Sequence, residues 1–273
     1  MPYVATRLGR WFYDESGPAN DGPAVVLLHG LFFDGSQWKA QLPLLSKLGR
    51  VFVFDGPGHG KSDPPPPFTL EDHADAVTDA FGHLGIDRAV FVGLSCGGMI
   101  SMRVALRYPQ LVAALALLDT DAGAVGKVER MKNGALASIA AKLGIPPWLT
   151  RTQVAPQLFG KTTLERRPEH AAETHRRITG YDREALLRAV RAVSIQRSDI
   201  RDRLGAIAVP TLVLCGEEDV ATPLARSREI VRAIPGARLR VIPRSGHMTT
   251  IEAPDAVNAE LLPFVRAALQ NVP

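Results

Sequence analysis

Along the chain, short apolar runs alternate with longer segments in which apolar residues recur at helical spacing. The runs are Val25 to Leu28 (VVLL), Val51 to Phe54 (VFVF), Ala89 to Val92 (AVFV), Ala114 to Leu118 (ALALL), Thr211 to Cys215 (TLVLC) and Leu239 to Ile242 (LRVI), bounded by Gly, Pro and Asp. Such brief runs, apolar with little polar alternation, predict strands buried on both faces. Between them, Ser36 to Leu48, Leu70 to Leu84, Met99 to Tyr108 and Pro223 to Ile234 have helical length and are opened or closed by Ser, Asp, Gly or Pro. Strand, helix, strand in this rhythm predicts the α/β class, a mostly parallel central sheet with helices on both faces.

The rhythm stops after Asp119 and resumes near Val209. The interval is rich in Ala, Leu and Arg and keeps helical spacing, as in Leu186, Leu187, Val190 and Val193. It reads as an insertion, so the expected organisation is a core of residues 1–120 and 206–273 carrying a helical cap, or lid, over 121–205. The proline run 64–67 predicts a stiff extended connector.

Composition narrows the class. With 46% apolar residues in 273, the chain can fill a core without covalent staples. Its 32 basic and 28 acidic residues leave +4, too mild a balance for a nucleic-acid binder. The charge is uneven, however: residues 121–205 hold 16 Lys and Arg against 9 Asp and Glu, or +7, while the remainder is −3. That excess could draw anionic substrates, although solvated arginine faces are the readier explanation. Two cysteines, Cys96 and Cys215, are too few for a disulfide framework and suit a reducing compartment. No apolar run approaches the roughly 18 to 20 residues of a membrane helix, and MPYVATRLGRWFYDESG lacks the apolar stretch of a signal peptide. The expectation is a soluble, cytoplasmic protein with a small-molecule substrate, no nucleic-acid or membrane partner, and homo-oligomerisation left open.

The candidate chemistry centres on Gly93-Leu94-Ser95-Cys96-Gly97, a G-x-S-x-G element between the run AVFV and a helical stretch. A serine lifted clear of a sheet needs a sharp strand-to-helix turn, and the flanking positions of such a turn have no room for side chains, hence Gly93 and Gly97. The following helix would aim the backbone N–H of Cys96 at a developing oxyanion, and a second donor is expected from Leu31, after the strand-end pair His29-Gly30. Serine needs a base within hydrogen-bond reach, held in one tautomer by a carboxylate. His247, beyond LRVI, and Asp219, beyond TLVLC, stand at the same sheet edge and give the chain order Ser, Asp, His. Asp119, at the end of ALALL, competes for the acid role. The remaining histidines at 59, 73, 83, 170 and 175 are assigned surface or capping roles.

Two tempting signals fail. The segment Asp55 to Ser62 ends in GKS, but a phosphate loop needs glycine at 55 and a helix after Ser62, where Asp63 and four prolines stand instead. No C-x-x-C or H-E-x-x-H spacing occurs, so neither metal nor cofactor is expected. Cys96 is expected to pack, contributing only its backbone.

With these motifs placed, the sequence resembles the α/β-hydrolase fold superfamily across the chain outside the cap. The string GLSCGGMISMRVALRYPQLVAALALLDT looks most like the group of 3-oxoadipate enol-lactonases, small carboxylesterases and cofactor-free haloperoxidase-like hydrolases. The resemblance implies a serine hydrolase that cleaves a carboxylic ester or lactone through an acyl-enzyme. Ser95 stands where epoxide hydrolases and haloalkane dehalogenases carry aspartate. Carbon–carbon bond hydrolases of aromatic degradation typically have a small polar residue where Leu94 stands and are the alternative, with a non-catalytic receptor on the same fold behind them. A pocket between core and cap is expected to be lined by Phe32, Phe33, Trp38, Leu94, Trp148 and Phe159.

Overall fold

A computed structural model describes residues 2–18 and 22–270. Eight strands form one sheet: β1 (Tyr3–Thr6), β2 (Gly9–Ser16), β3 (Ala24–Leu28), β4 (Val51–Phe54), β5 (Ala89–Leu94), β6 (Val112–Leu118), β7 (Thr211–Gly216) and β8 (Arg238–Ile242). Their order is β1-β2-β4-β3-β5-β6-β7-β8. From β4 to β8 every pair is parallel, while β1 and β2 are antiparallel additions at one edge. The six runs read from the sequence are all strands, but β8, at the far edge of the sheet, is largely exposed rather than buried on both faces because no strand pairs with its outer side. The edge pair escaped notice because its residues are half exposed and mix charge with aromatics, which breaks the apolar run.

Alternate residues of the central strands feed two cores. Val26 and Leu28 of β3 point into one, Val25 and Leu27 into the other. The first is covered by α1 (Leu70–Leu84) and α2 (Cys96–Arg107). Helix α1 is well specified locally: Thr69 and Asp72 make a reciprocal capping box, and Gly85 ends it at φ 63°. The helix expected over Ser36 to Leu48 is instead a 3-10 turn, Gly35–Trp38, and a four-residue helix, Leu42–Leu45. Pro43 has no N–H to continue a ladder and disfavours helical geometry at Leu42.

Between β6 and β7 the chain is helical: α3 (Lys127–Leu143), short helical turns from Pro147 to Arg166, α4 (Glu169–Gly180) and α5 (Arg183–Ser194). It is tied to the strand-bearing part by buried or half-buried polar contacts. Arg177 and the Tyr181 hydroxyl both donate to Asp34 Oδ2, at 2.6 and 2.8 Å, and Thr162 N donates to Glu218 at 2.8 Å. Burial pushes the Asp34 carboxyl up, but these donors, Ser36 and the Arg177 charge outweigh it and hold it down at about 2. After β7 come α6 (Leu224–Ala233) and α7 (Pro254–Gln270), whose Val257, Leu261 and Val265 close the second core. Among the described residues no helix is long and apolar enough to cross a membrane.

Candidate active site

Ser95 occupies the turn between β5 and α2 with φ 55° and ψ −117°, a conformation disfavoured for any residue with a Cβ. The turn is held by Ser95 N donating to Leu118 O at 2.8 Å and Thr120 Oγ1 donating to Ser95 O at 2.6 Å. A Cβ on Gly93 would lie 2.4 Å from the Gly97 carbonyl carbon, and one on Gly97 would lie 2.1 Å from Leu28 O. Both glycines are therefore steric necessities of the turn.

Three side chains from separate strand ends meet here. Ser95 Oγ lies 2.8 Å from His247 Nε2, and His247 Nδ1 lies 2.9 Å from Asp219 Oδ2. The carboxylate accepts from Nδ1–H, which leaves Nε2 to accept from the serine hydroxyl. Asp219 also accepts from Ala221 N and Thr222 N, both at 2.9 Å, and from Thr222 Oγ1 at 2.7 Å. Burial pushes Asp219 up, but His247 and the Thr222 donors prevail and lower it. For His247, burial favours the neutral ring, yet the Asp219 charge and hydrogen bond outweigh it and raise the pKa above 6.5.

Asp119, the competing acid, does not bond the histidine. Its Oδ1 accepts from Gly216 N at 2.8 Å, and its Oδ2 lies 2.5 Å from Thr249 Oγ1. The fully buried carboxyl thus braces the start of the Asp219 loop against the segment after His247. Burial and the nearby Asp219 charge push its pKa well up.

The loop after β3 is heavily bonded. His29 Nδ1 donates to Gly30 O at 2.8 Å and Nε2 accepts from Gly56 N at 2.7 Å; Gly30 N donates to Gln37 at 2.9 Å; Phe32 N reaches His59 Nε2 at 3.4 Å. Phe33 N returns to Gly30 O at 3.2 Å. Within this loop Leu31 N–H has no oxygen or nitrogen acceptor among the described residues, and neither does Cys96 N–H at the start of α2. The Cys96 side chain packs in the first core, where burial pushes its thiol up to about 12.

Above Ser95 a cavity of about 1050 Å³ opens between the sheet edge and the helical segment. Gly30, Leu31, Phe32, Met99, Thr222, His247 and Met248 form its floor, while Leu136, Ala140, Leu149, Leu158, Ile178, Leu186 and Val190 form its roof. Of the six side chains expected to line it, only Phe32 does. Phe33, Trp38 and Leu94 are packed in the second core, Phe159 stacks on His170 with ring centres 4.8 Å apart, and Trp148 faces solvent. The sequence marked aromatics as candidates, but large flat side chains here fill the layers beneath the site, and aliphatic faces of the helices line the space.

Sequence reasoning missed Glu252. Its Oε1 accepts from Gly246 N and Met248 N, both at 3.0 Å and on either side of His247, and its Oε2 accepts from Gly160 N at 2.8 Å in the helical segment. No familiar motif announces it: two of its partners are backbone groups of the loop just before it, and the third, Gly160, is 92 residues away in sequence. Glu252→Ala leaves three buried donors without acceptors, each costing about 1 to 3 kcal/mol, so a total loss of about 3 kcal/mol after partial rehydration is expected. Thermal unfolding should shift down by about 6 to 12 °C; a shift within 2 °C, on the order of the measurement error, would show that the clamp contributes nothing.

The chain as a whole is similar to known proteins. A sequence model of the α/β hydrolase fold matches residues 23–254. The structure of a thermophilic esterase from Thermogutta terrifontis superposes with a TM-score of 0.88 at 28% identity, covering 98% of this chain and 100% of that one. The enol-lactonase from Burkholderia xenovorans LB400 superposes at 0.87 with 30% identity, covering 96% and 99%. In sequence, the dihydrolipoyllysine-residue acetyltransferase component of the acetoin cleaving system of Pseudomonas putida is 32% identical over 96% of this chain and 68% of its own length.

Proposed function

This chain belongs to the α/β-hydrolase fold family, and from that premise we propose that it is a serine hydrolase cleaving carboxylic esters or lactones through an acyl-enzyme. The observation that carries the reading is the line Asp219, His247, Ser95, bonded at 2.9 and 2.8 Å and opening on a mainly apolar cavity beside two unbonded N–H groups. The similarity to an esterase and an enol-lactonase supports the substrate class.

In this mechanism Ser95 Oγ attacks the carbonyl carbon while His247 Nε2 takes its proton and Asp219 steadies the imidazolium. The N–H groups of Leu31 and Cys96 receive the oxyanion, each lowering the barrier by about 3 kcal/mol. His247 then protonates the leaving alkoxide and, in the second half, takes a proton from the water that releases the acid. The residues between β6 and β7 act as the cap that excludes bulk water.

Because neutral His247 is the base and its pKa is raised, kcat/KM should climb with pH through an inflection above 6.5. Asp219→Asn removes the charge that raises it, so the inflection should fall, and kcat should drop by on the order of 10⁴. A wild-type inflection below 6.5 would contradict the Asp219 pairing.

The testing experiment is hydrolysis of p-nitrophenyl esters from acetate to octanoate, with lactones and a vinylogous 1,5-diketone in parallel. A cavity of about 1050 Å³ favours the longer acyl chains. Cleavage of the diketone alone, with esters and lactones untouched, would transfer the site to carbon–carbon hydrolysis.

A further inference from the structure

Beyond its catalytic reading, the roof of the cavity has a second side. We propose that the outer face of α3, with the adjoining turn Pro147–Leu149, is a docking face for an anionic lipid surface, which would place the mouth of the cavity against that surface.

Large apolar side chains are exposed here out of proportion to the rest of the molecule. Val128, Met131 and Leu143 are each more than three-quarters exposed, Ile139 is about half exposed, and Trp148 is 65% exposed. These are five of the eight large exposed hydrophobics among the described residues. At 100° per residue, positions 128, 131, 139 and 143 fall within one third of the helix circumference. The opposite side carries buried Ala137 and Ala140, which face the cavity. One helix is therefore apolar on two sides, and only one of them has a partner in the fold. A contiguous apolar face of this kind marks an interaction surface.

Charge decides the occupant. Residues 127–151 contain Lys127, Arg130, Lys132, Lys142 and Arg151 against a single acid, Glu129. None of the five cations forms an ion pair among the described residues, whereas Arg177, Arg188, Arg197 and Arg201 each do. Two copies meeting through this face about a two-fold axis would bring like charges together, whereas an anionic lipid surface accepts both the cations and the apolar side chains. Lys127, Val128 and Lys132 also line the cavity, so the docked face and the entrance are continuous. An apolar ester could then pass from lipid to Ser95 without crossing water. Among the described residues no helix is long and apolar enough to cross a membrane, and a docking face of this kind needs none.

The protein carries its own reporter. Trp11 and Trp38 are fully buried, so Trp148 alone among the tryptophans meets solvent. With the full-length chain and vesicles of phosphatidylcholine, alone or with about one-third phosphatidylglycerol, the anionic vesicles should shift the emission to the blue and co-sediment the protein; neutral vesicles should do neither. Raising NaCl from about 0.05 to about 0.5 M should weaken binding at least tenfold. The double variant Met131→Asp/Leu143→Asp should lose vesicle binding and Lys142→Glu, on the same face, should weaken it, both keeping wild-type melting and wild-type hydrolysis of a soluble short ester. Sedimentation velocity without lipid should give a monomer. Either no binding to anionic vesicles, equal binding to neutral ones, or a dimer that Met131→Asp/Leu143→Asp dissociates would overturn the proposal. None of these readouts requires Ser95, so failure of the catalytic reading leaves them unaffected, and the reverse also holds.

Discussion

Replacing Ser95 with alanine is expected to reduce kcat on p-nitrophenyl esters by on the order of 10⁵ to 10⁶ while leaving the fold intact. The activity loss follows from removing the only atom placed to attack: Ser95 Oγ is the group bonded to His247 Nε2, and the Cys96 thiol beside it is held protonated by burial. The stability change should stay within about 1 kcal/mol, because one hydroxyl and one hydrogen bond are lost and the Cβ, already accommodated at φ 55°, remains. His247→Ala should cost a similar factor, and the double variant no more than either single one, since the two act as one unit. A residue of about 10³ over the uncatalysed rate should persist from the oxyanion donors. Labelling by a fluorophosphonate, followed by intact mass, checks the assignment directly. Retention of more than a few per cent of wild-type kcat in Ser95→Ala would require a different nucleophile and end the acyl-enzyme proposal.

Acidification is expected to unfold the protein between about pH 5 and pH 4, driven by two histidines remote from proton transfer. His59 and His73 are buried, His59 in contact with the ring of Tyr181 and His73 with those of Trp11 and Phe68. Burial, reinforced by the neighbouring His29, pulls each pKa down from 6.5 to about 3. Between those values the unfolded chain binds protons that the folded one refuses, so stability rises with pH and is lost as pH falls from 6.5. Each group contributes about 1.4 kcal/mol per pH unit, and the pair removes about 4 kcal/mol by pH 5, a large share of an ordinary domain's total. His247 works in the opposite sense: its raised pKa contributes stability that is complete below 6.5 and fades at higher pH. Urea unfolding at half-unit pH steps measures the slope. His73→Leu, packed between the same rings, should remove about half of it between pH 6 and pH 4.5. An unchanged slope in that variant would assign the acid sensitivity elsewhere.

These two histidines mark where sequence reading ran short. The sequence assigns both surface or capping roles, since they fall in a loop or a helical stretch with no carboxylate at a strand end nearby: His59 lies in a Gly-Pro-Gly loop and His73 on a helix among Asp and Ala. The antiparallel edge covers His73 through Trp11 of β2, whereas His59 lies against His29 and Tyr181, 30 and 122 residues away in sequence. Edge strands carry weak patterns, so the element that mattered was the one least visible in sequence. Phe33, Trp38 and Leu94 failed as pocket residues for a related reason. Motif proximity puts Leu94 beside Ser95 and Phe33 and Trp38 just after the His29-Gly30 pair, but a strand or loop side chain faces one side only, and theirs face the second core.

The sequence by itself determined the class of fold and the catalytic candidates. Apolar runs and helical periods have fixed spacings, and a nucleophile turn leaves two glycines and a serine that chance seldom places after a buried strand. The tertiary structure decided what depends on groups far apart in the chain. It brought Asp219 rather than Asp119 to His247, joined Glu252 to Gly160 N 92 residues away as well as to its own preceding loop, and left Leu31 N–H without an oxygen or nitrogen acceptor when its neighbours were taken. It also decided which side of α3 roofs a cavity and which is left to solvent. Those outcomes come from hydrogen-bond satisfaction and packing, in which each group takes the partner within about 3 Å whatever its distance in sequence.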